Sequence, residues 1–282
     1  MQLITWNIQW GRGVDGRVDL DRIVAHAKRL ADFDVLCLQE ISGGYTELPG
    51  SDGGDQFADL ARRLPGYHAL DGVATEVWGA SGHRRFGNMI FSRYPLLRAC
   101  RYLLPWQPQS GTKSMQRIAL EATLVTPSGP LRVTTTHLEY YDPAQRMAQV
   151  SRLRELHREA VAHARAVPAS EPSEGAFYAP ARGGPAILTG DFNFLPDSAE
   201  YRSLTAPIDA DTPPYRDAWR LAHAQLPHAP SVGMYDKAQW PGAPFTFDFL
   251  FVSEDLGARV REVSVDDTSD ASDHQPTLLT LA

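Results

Sequence analysis

The chain repeats one pattern, in which a short apolar segment of strand character ends at, or encloses, a carboxylate, an amide or a histidine. Short apolar runs bounded by turn-forming residues are typical of buried β-strands. The polar residues at these positions are Asn7, Glu40, His137, Asp191, Asn193 and Asp248. Because a rigid sheet holds functional groups at its rim, the pattern predicts one site assembled from strand ends.

Asp273 and His274 form the last group of this kind and stand just before a strand-like segment, 277–281. The acids and turn-forming residues of 266–271 place the pair at the mouth of that strand. On its own the pair fits an exposed C-terminal loop equally well. In the company of the other strand-end residues, it predicts a metal ligand beside an imidazole that faces a phosphate.

Each of these residues also has an ordinary structural interpretation. Asn7 is compatible with a turn, His137 with a hydrogen-bonded histidine at a sheet edge, and segment 190–193 with an Asx-turn. Glu40 and Asp248 are harder to explain in this way, because an unpaired buried carboxylate is costly. The order and the company of the residues therefore count for more than any single residue.

Composition sets limits on the partners. With 43% hydrophobic and 22% charged residues, the 282-residue chain is an ordinary globular sequence. It has no apolar run near the roughly 18 residues of a membrane span and no leader pattern, so we expect a cytoplasmic protein. Cys37 and Cys100 lie in apolar runs and are predicted to be buried free thiols. The net charge of −7 argues against a large nucleic-acid footprint but leaves a local basic cleft open.

The remaining segments predict the fold. Helical periodicity occurs in 19–31, 55–64, 142–166, 198–204 and 215–223. The strand-like segments between them do not alternate strictly with helices, and those in the middle of the chain suggest antiparallel pairing. We therefore expect two packed sheets with helices outside. Residues 1–282 are predicted to form one domain, with a surface loop insertion at about 168–185.

The candidate ligands are carboxylates, an amide and histidines, and the chain has neither a cysteine pair nor a Gly-x-Ser-x-Gly motif. Hard oxygen ligands suit Mg²⁺, with Mn²⁺ as a substitute, better than Zn²⁺. An ion held in this way commonly partners phosphate oxygens. The residues therefore point to a phosphoester as the substrate.

Seven short motifs occur in one order along the chain. They are Thr5-Trp6-Asn7, Leu38-Gln39-Glu40, Gly87 to Pro95, Thr136-His137-Leu138, Gly190-Asp191-Phe192-Asn193, Phe247-Asp248-Phe249 and Ser272-Asp273-His274. This series resembles the endonuclease/exonuclease/phosphatase superfamily with the DNase I-like fold, and it covers nearly the whole chain. The resemblance implies an α/β (α+β) fold, a four-layer αββα sandwich of two mainly antiparallel sheets face to face, and metal-dependent phosphoester hydrolysis.

The resemblance also implies a role for each motif residue. On the metal side, Glu40 is similar to the principal Mg²⁺ ligand of the family. Asn7 matches a residue close to the metal, and Asp273 matches a further acidic ligand.

On the catalytic side, Asp191 resembles the base that orients or deprotonates the attacking water. Asn193 resembles the group that positions this water and the phosphate. His137 and His274 look like donors to the non-bridging oxygens, and Asp248 resembles the acid that holds the His274 imidazole. Asp248 would then raise the pKa of His274 and keep it charged near the phosphate.

Substrate binding is the least constrained part of the prediction. We nominate Asn88, Arg117 and Arg146, although Arg146 at the start of the long helix fits a solvated helix arginine equally well. Two positions depart from many relatives: Thr246 stands where they have Arg or Lys, and Gln9 where some DNA-acting relatives have an acid. Aromatic residues of the loops could stack on a base, cover a lipid or sugar, or serve packing alone. They are Trp78, Trp106, Tyr140, Tyr141, Tyr235 and Trp240.

Three functions remain open at this stage. The first is a Mg²⁺-dependent hydrolase of phosphoesters, with diesters favoured, acting on a small molecule, a nucleotide, a lipid or a single-stranded nucleic acid. The second is a DNA repair nuclease for abasic sites or 3′ ends, which the acidic balance disfavours. The third is a catalytically silent binding module on the same fold, which the intact set of polar residues argues against. The sequence does not fix the oligomeric state.

Overall fold

A computed structural model of the protein describes residues 1–79, 82–166, 175, 178, 180, 182–224 and 226–282. The predicted loop insertion at 168–185 lies largely outside these residues. The strands are β1 (Gln2–Asn7), β2 (Val35–Gly43), β3 (His68–Gly79), β4 (Gly82–Ser92), β5 (Leu96–Leu103), β6 (Ile118–Thr126), β7 (Gly129–His137), β8 (Ala186–Asp191), β9 (Tyr215–Asp217), β10 (Asp248–Ser253), β11 (Val260–Val265) and β12 (Thr277–Leu281).

The strands form two six-stranded sheets that lie face to face. The first sheet has the order β11-β12-β1-β2-β4-β3, and the second has the order β5-β6-β7-β8-β10-β9. Within the described chain, neighbouring strands are parallel only at β1–β2 and β7–β8, so the sheets are mainly antiparallel, as predicted. At both parallel pairs, the carboxyl ends of adjacent strands meet at the same edge.

Five helices accompany the sheets in the described residues: α1 (Leu20–Leu30), α2 (Gln56–Arg63), α3 (Pro143–Arg165), α4 (Ala199–Thr205) and α5 (Ala218–His223). The side chain of Asp19 caps α1, and Asp142 caps α3 ahead of a proline at its first turn. Both caps are local features, and for this reason the predicted helix boundaries are close to the observed ones.

Alternation along the strands explains the four layers. In β1, Leu3 faces the second sheet, whereas its neighbour Ile4 faces α1 and α2. In β10, Leu250 packs between the sheets, whereas Phe251 packs with α3 and α4. The molecule is therefore a four-layer αββα sandwich with an apolar core between each pair of layers, which confirms the predicted fold class.

Three local predictions differ from the structure. Trp78 does not lie in a loop but in the distal part of β3, which pairs with β4 and whose mixed polar residues conceal the strand pattern. Segment 215–223 divides into strand β9 and helix α5 at Asp217. Cys37 is a buried free thiol, but Cys100 is partly exposed, because β5 is an edge strand. None of the described helices is long and apolar enough to cross a membrane.

A buried polar cluster ties β7 to α3. Arg132 is 1% exposed and donates to His157 Nδ1 at 2.5 Å, while His157 Nε2 donates to the carbonyl of Pro213 at 2.8 Å. This arrangement requires a neutral imidazole. Burial, assisted by the charge of Arg132, lowers the pKa of His157 to about 4.

The His157 cluster should make folding stability depend on pH. Between about pH 6.5 and about pH 4 the unfolded histidine binds a proton and the folded one does not. The free energy of unfolding therefore decreases as the pH is lowered through this window. We expect a loss of up to about 3 kcal/mol, measured by urea unfolding. His157→Gln should remove this component, and an identical pH dependence in variant and wild type would contradict the assignment.

Candidate active site

The strand-end residues converge on a cleft of about 510 Å³ at the rim shared by the two sheets. Of the residues nominated from the sequence, those lining it are Glu40, Arg117, His137, Asp191, Asn193, Asp273 and His274. Asn7 and Asp248 lie directly behind them, each bonded to a lining residue. The predicted convergence of strand ends is therefore present in the molecule.

A β-bulge delivers Glu40 to the cleft. The pairing of β2 with β4 shifts register between Leu38 and Ile41, and Glu40 has a positive φ of 62°. Such a backbone is strained for a residue with a side chain, and bulges and strain of this kind concentrate at functional sites. The bulge turns the carboxylate out of the strand face and into the site.

Asp191 occupies the end of β8, opposite His137 at the end of the parallel strand β7. The preceding Gly190 has a φ of 133°, and a Cβ there would lie 1.9 Å from the Thr136 carbonyl oxygen. Only glycine allows this close approach of the two strands. Asp191 Oδ1 then accepts the backbone N–H of Asn193 at 3.0 Å, which forms the predicted Asx-turn.

A hydrogen-bonded chain leads from Ser231 to the cleft. Ser231 Oγ donates to Asp248 Oδ2 at 2.7 Å, and the same oxygen lies 2.8 Å from His274 Nδ1. His274 Nε2 is 3.7 Å from Asp191 Oδ2. Burial alone would lower the pKa of His274, but the charges of Asp248, Asp273 and Asp191 raise it well above its usual value. His274 is therefore a fixed cation whose Nε2 faces the cleft.

His137 differs from His274 in charge. Its Nε2 is 3.4 Å from Asp191 Oδ2, and its Nδ1 is 3.9 Å from Glu40 Oε1. Burial lowers the pKa of His137 well below its usual value, and the charges of Arg117 and His274 act in the same direction. The site thus combines one cationic and one neutral imidazole.

Asn7 bridges two carboxylates. Its Nδ2 donates to Glu40 Oε1 at 3.1 Å and to Asp191 Oδ2 at 3.0 Å. Its Oδ1 accepts the backbone N–H of Gln9 at 3.0 Å, which fixes the orientation of the amide. In this orientation the amide nitrogen faces the acids, and Asn7 is a donor that links Glu40 to Asp191.

Two acidic side chains of the cleft, Glu40 and Asp191, have raised pKa values. Burial and the charge of Asp273 together raise the pKa of Glu40 to about 7, against the opposing effect of the hydrogen bond from Asn7. Burial also raises the pKa of Asp191 to about 6, opposed by the charge of His274. The carboxylates of Glu40 and Asp273 repel each other, and a divalent cation bound by their oxygens would offset this repulsion.

A second group, Asp191, Asp248 and His274, also has ligand atoms within 4.8 Å of one another. Within this group, Asp248 Oδ2 is bonded to both Ser231 and the imidazole, and Asp248 Oδ1 is a buried acceptor without a hydrogen-bond partner among the described residues. Its buried hydrogen bonds match an acid that orients a histidine.

Arg117 and Asn88 line a small pocket together with His137. Arg117 is 7% exposed, and its closest approach to a carboxylate in the described chain is 4.0 Å, from Nε to Glu139 Oε2. Both Arg117 Nε and Asn88 Nδ2 are buried donors without a hydrogen-bond partner among the described residues. Buried donors of this kind indicate an anionic or polar ligand.

Arg146 does not reach the cleft, and the structure gives it a different task from phosphate binding. Its Nε and Nη2 bond to Glu200 at 3.1 and 3.0 Å, and its Nη1 donates to the carbonyls of Glu139 and Tyr140 at 3.0 Å. All three guanidinium nitrogens are therefore engaged, two with Glu200 of α4 and one with the turn that follows β7. Its nearness to His137 in sequence was misleading.

Several residues at the site were not nominated from the sequence. Ser231 orients Asp248, and Gln239 and Trp240 donate to Asp273 Oδ2 at 2.9 and 3.0 Å. All three lie in the long connection between α5 and β10, which has no periodic pattern. Trp240 was one of several loop aromatics, and nothing in the sequence separated it from exposed residues such as Trp78.

Two face-to-face sheets with carboxylates, imidazoles and a buried arginine at their rim define a phosphoester hydrolase. The model of the endonuclease/exonuclease/phosphatase family matches residues 4–274. The chain belongs to this family, whose members hydrolyse phosphoesters and generally depend on a divalent metal. A comparison with curated proteins gives no match.

Solved structures with the same fold cover all of this chain. A Beutenbergia cavernae endonuclease/exonuclease/phosphatase is 25% identical, with 72% of that chain covered and a TM-score of 0.68. The Bacteroides thetaiotaomicron mannosyl-6-phosphatase is 17% identical, with 99% covered and a TM-score of 0.68. The catalytic domain of human nocturnin with bound sulfate is 20% identical, with 93% covered and a TM-score of 0.65.

Proposed function

We propose that this protein hydrolyses phosphodiesters, with Asp191 as the base that presents the attacking water. The observation that carries the proposal is the position of Asp191. It is 1% exposed, bonded to Asn7, and close to the Nε2 atoms of both His137 and His274. Its pKa of about 6 suits a group that accepts a proton near neutral pH.

The other residues then share the stabilisation of the transition state. The cationic His274, held by Asp248, and the neutral His137 donate to non-bridging oxygens, on which negative charge grows. Arg117 offers a desolvated positive charge to the same phosphate, with Asn88 beside it as a second donor. Asn193, fixed by its bond to the Leu138 carbonyl, positions the water.

Mg²⁺ is the cofactor that we propose, held by Glu40 and Asp273. When bound, it supplies a Lewis acid for a phosphate oxygen. Asn7 keeps the Glu40 carboxylate oriented through its Nδ2, and Gln239 and Trp240 do the same for Asp273. The raised pKa of Glu40 supports this arrangement, because a bound cation would favour the charged form of the carboxylate.

The charge distribution supports a small substrate over a DNA duplex. Arg84 and Arg85 are paired with acids, Arg84 with Glu47 at 2.5 Å and Arg85 with Asp55 at 2.7 Å. Arg117 is the one lysine or arginine among the described residues that line the cleft. A protein that grips a duplex neutralises several phosphates with basic side chains.

Removal of metal should abolish hydrolysis of bis-p-nitrophenyl phosphate. We expect EDTA to lower the rate to background and Mg²⁺ to restore it, because Glu40 and Asp273 hold the ion. Asp273→Asn should raise the Mg²⁺ concentration needed for half-maximal rate roughly 10- to 100-fold, the cost of disturbing a metal site. Mn²⁺ binding, measured by electron paramagnetic resonance, should weaken in parallel.

The surface variant Asp209→Asn serves as the control for the metal experiment. Asp209 bonds only to the backbone of its own turn among the described residues. It should leave the Mg²⁺ requirement unchanged. Hydrolysis that persists in EDTA, or equal Mn²⁺ affinity in Asp273→Asn and wild type, would overturn the metal assignment.

A further inference from the structure

An aromatic wall forms one side of the cleft. Tyr140, Tyr141 and Trp240 line it together with the catalytic residues. Tyr140 meets Tyr141 edge to face at 4.9 Å and Trp240 edge to face at 6.1 Å, between ring centroids. Tyr140 is 39% exposed and Tyr141 is 56% exposed, so their rings are only partly covered by the protein.

The wall is fixed to the metal side of the site. Trp240 Nε1 donates to Asp273 Oδ2 at 3.0 Å, while its ring packs on Phe245 at 5.3 Å. On the other side, Arg146 binds the carbonyl of Tyr140 and is itself held by Glu200. Both ends of the wall are therefore anchored, which a surface meant only for loop packing does not require.

The electrostatics of the cleft limit the charge of its ligand. Arg117 is the single basic side chain other than histidine among the described lining residues, and it lies with His137 and His274 at the phosphate end. The wall itself carries no cation. A second phosphate on the substrate would meet aromatic rings, Gln239 and the acidic Asp273 in place of a basic partner.

We propose that Tyr140, Tyr141 and Trp240 form a stacking platform for the nucleobase of a nucleotide-type phosphodiester substrate that carries one phosphate, so that 5′-AMP represents its base and phosphate. This inference rests on the proposed function and names its substrate class. Bases stack on aromatic side chains without sequence preference, and a flat ring needs no cation. The platform places the base next to the atoms that act on its phosphate.

A polyhydroxylated sugar fits the same wall less well. Sugars require many hydrogen-bond partners, and the amides beside the wall are already bonded to each other, because Gln9 Nε2 donates to Gln239 Oε1 at 2.9 Å. Gln239 Nε2 is likewise engaged by Asp273. The wall therefore offers ring faces more than free donors and acceptors.

The test compares ligands that differ only in the base or in one phosphate. Binding of 5′-AMP, ribose 5-phosphate and ADP is measured by isothermal titration calorimetry with Mg²⁺, in the Asp191→Asn background so that no ligand is consumed. We expect AMP to bind roughly 10- to 100-fold more tightly than ribose 5-phosphate, the contribution of one stacked base. ADP should gain nothing over AMP.

For each variant, the quantity compared is the ratio of the affinity for AMP to the affinity for ribose 5-phosphate. Tyr140→Ala and Tyr141→Ala should bring AMP toward the affinity of ribose 5-phosphate, and Trp240→Leu should do the same. Because both ligands carry the same phosphate, any effect of Trp240→Leu on Asp273 cancels in the ratio, and Trp240→Phe should largely preserve it. Trp78→Ala serves as the matched control, since its ring stacks on His83 at the hairpin tip, outside the cleft lining.

Equal affinity for AMP and ribose 5-phosphate would overturn the platform, as would a ratio that survives the Tyr140→Ala/Tyr141→Ala double change. Tighter binding of ADP would overturn the limit of one phosphate. These outcomes are separate from the proposed hydrolysis, which is rejected if the wild-type protein shows no metal-dependent hydrolysis of bis-p-nitrophenyl phosphate.

Discussion

Replacing Asp191 with asparagine should lower kcat for phosphodiester hydrolysis roughly 10²- to 10⁴-fold, the usual contribution of a positioned general base. Asparagine has the same shape and can still accept the N–H of Asn193, which keeps the turn after β8 intact. It cannot take a proton from water. The loss should therefore fall on kcat, with little change in KM.

The measurement needs a check on folding, because Asp191 also accepts from Asn7. Thermal unfolding of Asp191→Asn should show a midpoint near that of the wild type, since a buried charge is replaced by a neutral isostere. A folded variant with kcat within about tenfold of the wild type would rule out Asp191 as the base. Asp71→Asn, a change at an exposed ion pair with Arg101, should leave kcat unaltered.

The sequence indicated which residues line the cleft, but it gave less information about how their side chains are arranged there. Asn7, His137 and Asp191 were nominated because an apolar strand ends at each of them, and a strand is a local pattern that alternation and turn residues reveal. The two parallel strand pairs then bring such ends together. The fold class followed from the same local signals, and the helices from their periodicity and caps.

What the sequence concealed depends on contacts between distant segments. The bulge at Glu40 arises from the pairing of β2 with β4, and no pattern within β2 marks it. Ser231 and Trp240 act from a loop without periodicity, so only the folded chain shows that they meet Asp248 and Asp273. The nomination of Arg146 shows the opposite case. This residue is close to His137 along the chain, but its side chain bonds to Glu200 and does not line the cleft.

Asp248→Asn should be nearly as damaging as Asp191→Asn, although Asp248 acts through another residue. It is a positioning residue, because its Oδ2 contacts His274 Nδ1 and the Ser231 hydroxyl and lies behind the cleft. With the charge removed, the largest attraction that opposes burial is lost and the pKa of His274 falls, so a smaller fraction of the imidazole is protonated. We expect kcat to drop roughly 10²- to 10⁴-fold near pH 7.

The pH profile separates this role from a merely structural one. In the wild type, the cationic form of His274 persists to high pH, and activity that depends on it is lost only as pH rises through the raised pKa. In Asp248→Asn the pKa of His274 is lower, so kcat should increase as pH falls from about 8 toward about 6, because more of the imidazole carries its proton. Below about pH 6, protonation of Asp191 should lower kcat in the variant and the wild type alike. A profile parallel to that of the wild type would contradict the assignment.

The second sheet contains a matched control for this experiment. Asp217 is also buried, and its Oδ2 contacts His228 Nε2 at 2.6 Å and the Tyr201 hydroxyl at 2.7 Å, outside the cleft lining. Asp217→Asn removes a carboxylate from an equivalent aspartate–histidine–hydroxyl group, so it should lower stability without altering the pH profile of kcat. If both variants lost activity alike, general destabilisation would explain the result, and the orienting role of Asp248 would be rejected.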